Sequence, residues 1–126
     1  MAKLVFCEDN PTIQKMIRVA LRSTEHDVYI SDDGVEGLEV IEREHPDVIF
    51  TDVLMPRMDG LGLTDAVKKR PDLAHIPVIL VSASAQRIQL EEGLRHGAVD
   101  YLTKPFSPAE LRAKVEEYAH HPEAHQ

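Results

Sequence analysis

Val48-Ile49-Phe50-Thr51-Asp52-Val53-Leu54-Met55-Pro56-Arg57-Met58-Asp59-Gly60 is the stretch on which the fold turns. Its first four residues form a nearly continuous apolar run, the pattern of a strand buried on both faces rather than one alternating between core and water. The run ends at a carboxylate, and Pro56 and Gly60 mark a loop before a helical stretch resumes near residue 61.

Working outward, the same order recurs. Leu4-Val5-Phe6-Cys7 runs into Glu8-Asp9, Val78-Ile79-Leu80-Val81 into Ser82-Ala83, and the shorter Tyr101-Leu102 into Thr103-Lys104-Pro105; Val28-Tyr29-Ile30 is a further short run. The three longest runs, at residues 4, 48 and 78, are expected to be central strands. Between runs lie helical patterns. Ile13, Met16, Ile17, Ala20 and Leu21 make one apolar stripe behind an Asn10-Pro11 start, and Ser107-Pro108-Ala109-Glu110 is a capping box opening a helix that carries Leu111, Val115 and Tyr118. Helices near 36–44, 61–70 and 86–96 are punctuated by Gly34, Gly60, Pro71 and Gly97. Strands separated by single helices must pair in parallel through right-handed crossovers, so five βα units give an open, doubly wound α/β sheet with helices on both faces.

The 126 residues suit a single domain, expected over 1–120, with 121–126 as a polar C-terminal tail. His120, His121 and His125 fall at or in that tail, where Pro122 interrupts any helix and a metal site is disfavoured. A formal charge of −8 repels phosphate backbones and anionic lipid, which argues against nucleic acid and membrane as partners. Cys7 is the only cysteine, so no internal disulfide forms, and a strand position reads as a small buried hydrophobe. No apolar run approaches the roughly 20 residues that span a bilayer, and the N-terminus lacks a signal-peptide pattern, so a cytoplasmic location is expected.

In open parallel sheets, ligands bind beyond the carboxyl ends of the strands. Glu8, Asp9, Asp52, Ser82 and Lys104 all fall there. Three carboxylates about 4 Å apart repel by roughly 4 kcal/mol per pair at an effective dielectric near 20. An all-oxygen cluster of this kind suits a hard cation with open water positions, hence Mg²⁺. With Lys104 as a fixed positive charge, the set resembles the apparatus of phosphoryl transfer, and Asp52 could accept the group. Each residue alone could equally cap a helix or join a surface ion network; the combination favours a site. Gly60-Leu61-Gly62 lacks the third glycine of a dinucleotide fingerprint and does not follow a strand directly.

Glu8-Asp9, Asp52 within the stretch quoted above, Ser82-Ala83 and Lys104-Pro105 together resemble the receiver domain of two-component response regulators, in its chemotaxis-regulator-like, single-domain form. The resemblance covers residues 3 to about 119 and implies a flavodoxin-like five-stranded sheet of order 2-1-3-4-5. It also implies that Asp52 is the phosphoacceptor and that Glu8, Asp9, Asp52 and the Leu54 carbonyl hold Mg²⁺. Lys104 would contact the phosphoryl group, Ser82 would supply the hydroxyl that moves to it, and a cis bond would precede Pro105. Tyr101 matches the aromatic that rotates with Ser82, although an ordinary core aromatic is the alternative reading. Ile13, Met16, Pro105 and Phe106 fall where partners dock. Leu54 and Ser84 occupy the positions that tune dephosphorylation.

The expected donor is a histidine kinase or a histidine phosphotransfer protein, with output by phosphorylation-dependent binding to another protein. On this reading the chain is no enzyme beyond its own phosphorylation and dephosphorylation. Two alternatives stay open: a receiver excised from a larger regulator or hybrid kinase, and a small Mg²⁺-dependent phosphohydrolase. A flavodoxin-like cofactor module fits poorly, because Glu8-Asp9 would repel its phosphate.

Overall fold

Ten elements alternate strictly along the chain: β1 (Lys3–Cys7), α1 (Pro11–Leu21), β2 (Asp27–Ser31), α2 (Gly34–Glu44), β3 (Val48–Asp52), α3 (Gly60–Lys68), β4 (Val78–Ala83), α4 (Arg87–Arg95), β5 (Asp100–Lys104) and α5 (Pro108–Ala119). The computed structural model describes residues 2–83 and 87–119, and only the backbone of residues 87–90. Ser84, His120 and the expected tail 121–126 lie outside the described residues. All strand pairs are parallel and the sheet order is β2-β1-β3-β4-β5, so the three continuous apolar runs are indeed the central strands.

The period-2 alternation of strand side chains divides the core between the two faces of the sheet. Leu4, Phe6, Val48, Phe50, Ile79 and Val81 pack with Ile17, Ala20 and Leu21 of α1 and Leu111, Val115 and Tyr118 of α5. Val5, Cys7, Ile49 and Val78 face the other way, onto Ile41 of α2 and Leu63 and Val67 of α3. On the first face, the neighbouring Phe6 and Phe50 rings stack with centroids 4.7 Å apart. Burying a side chain of this size stabilises the fold by roughly 1.5–3 kcal/mol, so both layers depend on these central strands.

Capping residues fix the helix starts. Asn10 Oδ1 accepts from the Thr12 and Ile13 N–H groups, with Pro11 inside the first turn. Ser107 and Glu110 make the reciprocal capping box expected of them. Asp33 and Asp59, which the sequence reading did not single out, cap α2 and α3 through the Glu36 and Gly62 N–H groups and move both starts upstream, to Gly34 and Gly60. α3 stops at Lys68, short of residue 70, and the Lys68 ammonium binds the Ala74 and Ile76 carbonyls of the following turn. β5 is longer than Tyr101-Leu102: its pairing continues to Ser82↔Thr103 and Ala83↔Lys104. Lys104 therefore sits on a strand rather than on a loose loop.

Candidate functional site

Parallel strands deliver their carboxyl ends to one edge of the sheet, and here those ends are polar. Asp52 is the last residue of β3, Lys104 the last of β5, Ser82 the penultimate residue of β4, and Glu8-Asp9 follow β1 directly. Lys104 Nζ lies 2.7 and 2.8 Å from the two Asp52 carboxylate oxygens and 2.9 Å from Glu8 Oε1. The other Glu8 oxygen accepts from the Asn10 N–H at 3.0 Å, so the turn that caps α1 also holds the Glu8 carboxylate in place. Glu8, Asp9 and Asp52 each present an oxygen within 4.8 Å of the others. Glu8 and Asp52 are buried, while Asp9 faces solvent.

One ammonium bridges two of the three carboxylates, Asp52 and Glu8. Burial pushes the Asp52 carboxyl up to about 7, with the Lys104 hydrogen bond opposing the rise and the Glu8 charge adding to it. Burial works against the Lys104 charge, but its bonds to Asp52 and Glu8 outweigh that and raise its pKa. The cluster thus lacks positive charge. An all-oxygen donor set with two buried members and one facing water fits a small hard cation that keeps part of its water shell.

The remaining residues singled out from sequence fall around this centre. Ser82 is buried, its hydroxyl donating to the Ala83 carbonyl at 3.2 Å. Leu54, two residues beyond Asp52, exposes 55% of its surface. Tyr101 is 46% exposed, so the core-aromatic reading does not hold; its N–H donates to Asp100 Oδ1. The Lys104-Pro105 bond is cis. Ile13, Met16, Pro105 and Phe106 line one apolar hollow of about 340 Å³ with Ala83 and Lys104, immediately beside the carboxylates. Cys7 is buried, and burial pushes its thiol up to about 12, which removes it from thiolate chemistry. The sequence reading missed Gln14, which donates to the Glu8 carbonyl and to Asp32, and Arg57, which pairs with Asp33. Nothing in their spacing marks them, because their partners lie 18 and 24 residues away along the chain.

Among the described residues, no helix is long and apolar enough to cross a membrane. Over 113 residues the chain is 34% identical to the probable transcriptional regulator ycf27 of Porphyridium aerugineum and 39% identical to the sensor histidine kinase TmoS of Ectopseudomonas mendocina. Each match covers 90% of this chain but only 46% and 12% of those relatives, so the chain spans less than half their length. Among solved structures, the receiver domain of the sensor histidine kinase PA1611 from Pseudomonas aeruginosa, with a magnesium ion coordinated in its active site cleft, superposes with a TM-score of 0.84. That likeness has 32% identity and covers 93% of this chain and 96% of the other. Residues 4–116 match the sequence profile of the response regulator receiver domain, and the chain therefore belongs to that family of two-component signalling domains.

Proposed function

We propose that Asp52 accepts a phosphoryl group from a phosphohistidine of a histidine kinase or histidine phosphotransfer protein, in a Mg²⁺-dependent step, and that the phosphorylated domain signals by binding another protein. The observation that carries this reading is the convergence of Glu8, Asp9 and Asp52 within 4.8 Å, with Lys104 bonded to Asp52. An Asp52 carboxylate oxygen attacks phosphorus, the phosphorus–nitrogen bond of the donor breaks, and its electron pair leaves on the imidazole nitrogen, which takes up a proton. Glu8, Asp9, Asp52 and the Leu54 carbonyl are the groups that would hold Mg²⁺, which when bound supplies positive charge to the transferring oxygens. Lys104 shifts its hydrogen bonds from Asp52 to the phosphoryl oxygens. The Ser82 hydroxyl then donates to one of them, and Tyr101 turns from solvent toward the space vacated. The apolar hollow formed by Ile13, Met16, Pro105 and Phe106 beside the site is where the donor would seat its own apolar surface.

Incubation with a small acyl phosphate and Mg²⁺, followed by intact mass and peptide mapping, tests the reading. One phosphoryl group on Asp52 is expected. An adduct on Asp52→Asn protein, or full labelling in excess chelator, overturns it.

A further inference from the structure

Beside Asp52, which ends β3, two loops carry the other groups that would hold the cation: residues 8–10 after β1 bring Glu8 and Asp9, and residues 53–59 after β3 bring the Leu54 carbonyl. Among the described residues, no backbone hydrogen bond joins one of these loops to the other. Both loops instead lean on a third segment that offers no ligand, the corner Ser31-Asp32-Asp33-Gly34 between β2 and α2.

On one side, the Glu8 N–H donates to the Ser31 carbonyl at 3.0 Å, and the Gln14 amide bridges the Glu8 carbonyl at 2.5 Å and Asp32 Oδ1 at 2.6 Å. On the other, the Arg57 guanidinium binds both Asp33 oxygens at 3.1 and 3.0 Å, while the Gly34 N–H donates to the Pro56 carbonyl at 3.4 Å. A Cβ at Gly34 would lie 2.0 Å from the Met58 carbonyl oxygen, so corner and loop are in backbone contact. Asp33 is itself anchored by the Glu36 N–H at 2.8 Å. Arg57 adopts φ 67°, a region that favours glycine, so the position gives up backbone ease for a side chain that reaches Asp33.

We propose that this corner positions the metal-binding groups of the two loops, Glu8 and Asp9 on one and the Leu54 carbonyl on the other, with Gln14–Asp32 and Arg57–Asp33 as two clamps that set the distance between the Glu8-Asp9 loop and the loop that follows Asp52. The inference rests on the Mg²⁺ site proposed above. Gln14 and Arg57 are positioning residues, since neither touches the reacting atoms. Partners that orient a ligand typically change metal affinity about 10- to 100-fold, and solvent screening of these clamps lowers the expectation to about three- to tenfold.

The test is calorimetric titration with Mg²⁺ together with the metal-free thermal midpoint for the parent, Arg57→Gly, Arg57→Lys, Gln14→Met and Asp9→Asn. Arg57→Gly separates the roles, because glycine relieves the positive φ while removing the clamp. Its metal-free midpoint should hold or rise while its Mg²⁺ dissociation constant increases about three- to tenfold, with Arg57→Lys intermediate and Gln14→Met weakened to a similar degree. A parental dissociation constant in Arg57→Gly or in Gln14→Met removes that clamp, and in both it overturns the inference. A loss of affinity matched by a fall in the metal-free midpoint overturns it as well. Failure of the underlying reading looks different: the parent binds no Mg²⁺, or Asp9→Asn binds it as tightly as the parent.

Discussion

At the scale of single residues, the site is an arrangement of charge around Asp52, with the exposed Leu54 two residues beyond it. Lys104 is shared between Asp52 and Glu8, and Asp9 stands exposed beside them. On the proposed reading Leu54 stands where water would approach an acyl phosphate on Asp52, and its side chain brings neither charge nor hydrogen-bonding group there. General-base help is typically worth about 10²–10⁴-fold, and an amide that only orients water contributes less. Leu54→Asn should therefore shorten the phosphoryl lifetime several-fold. Phosphate release after donor removal, in excess Mg²⁺, measures it; loss from the variant no faster than from the parent refutes the shielding role. Leu54 was legible as a position two residues past Asp52, whereas its companion Ser84 lies outside the described residues.

At the scale of elements, the sites are only as well placed as the helix and strand ends that carry them. α5 presses Leu111, Val115 and Tyr118 into the core and begins at a capping box, with the Glu110 N–H donating to Ser107 Oγ at 3.1 Å and the Ser107 N–H to Glu110 Oε1 at 2.9 Å. Ser107→Ala should cost about 1 kcal/mol, read as a lower denaturant midpoint at unchanged slope. An unchanged midpoint would mean that the apolar face alone fixes this end. That box was readable because its residues are neighbours in sequence, as were Asn10-Pro11 and the continuous runs of β1, β3 and β4. Local signals locate elements and the polar residues that end them, so Glu8, Asp9, Asp52, Ser82 and Lys104 could be gathered on paper once the strands were parallel. Asp33 and Asp59 escaped notice as caps because each is a lone acid before a glycine, a pattern shared with ordinary turns. The full extent of β5 escaped because its pairing to Thr103 and Lys104 comes from the neighbouring strand rather than from its own hydrophobicity. Gln14–Asp32 and Arg57–Asp33 exist only in the folded arrangement.

At the scale of the whole molecule, the acidic edge opposes the fold that creates it, and this gives stability a particular dependence on pH and cation. Burial raises the Asp52 carboxyl from an ordinary value of 3.8 to about 7. Between those values the native state holds more protons than the unfolded one, so this group's contribution to stability falls as pH rises through that window. Asp33 acts in the opposite sense: the Glu36 N–H, outweighing burial and aided by Arg57, holds its carboxyl below the ordinary range, so its contribution is lost as pH falls. Asp100 does likewise, with Lys114, the Tyr101 N–H and the Tyr118 hydroxyl overcoming its burial. Comparison of the parent with Asp52→Asn isolates the Asp52 term: in chelator, the variant's advantage in thermal midpoint should grow between pH 5 and pH 7.5. On the proposed reading Mg²⁺ binds the ionised cluster, so its stabilising effect should grow over the same range. At about 100 times its dissociation constant a ligand specific to the native state adds about 2.7 kcal/mol, a shift of several degrees for a domain of this size. The shift should be larger at pH 8 than at pH 5.5 and should vanish in Asp9→Asn. Thermal scans of both proteins at the two pH values, with Mg²⁺ and with chelator, decide it: a parent whose midpoint ignores saturating Mg²⁺ at pH 8 has no cation site at these carboxylates.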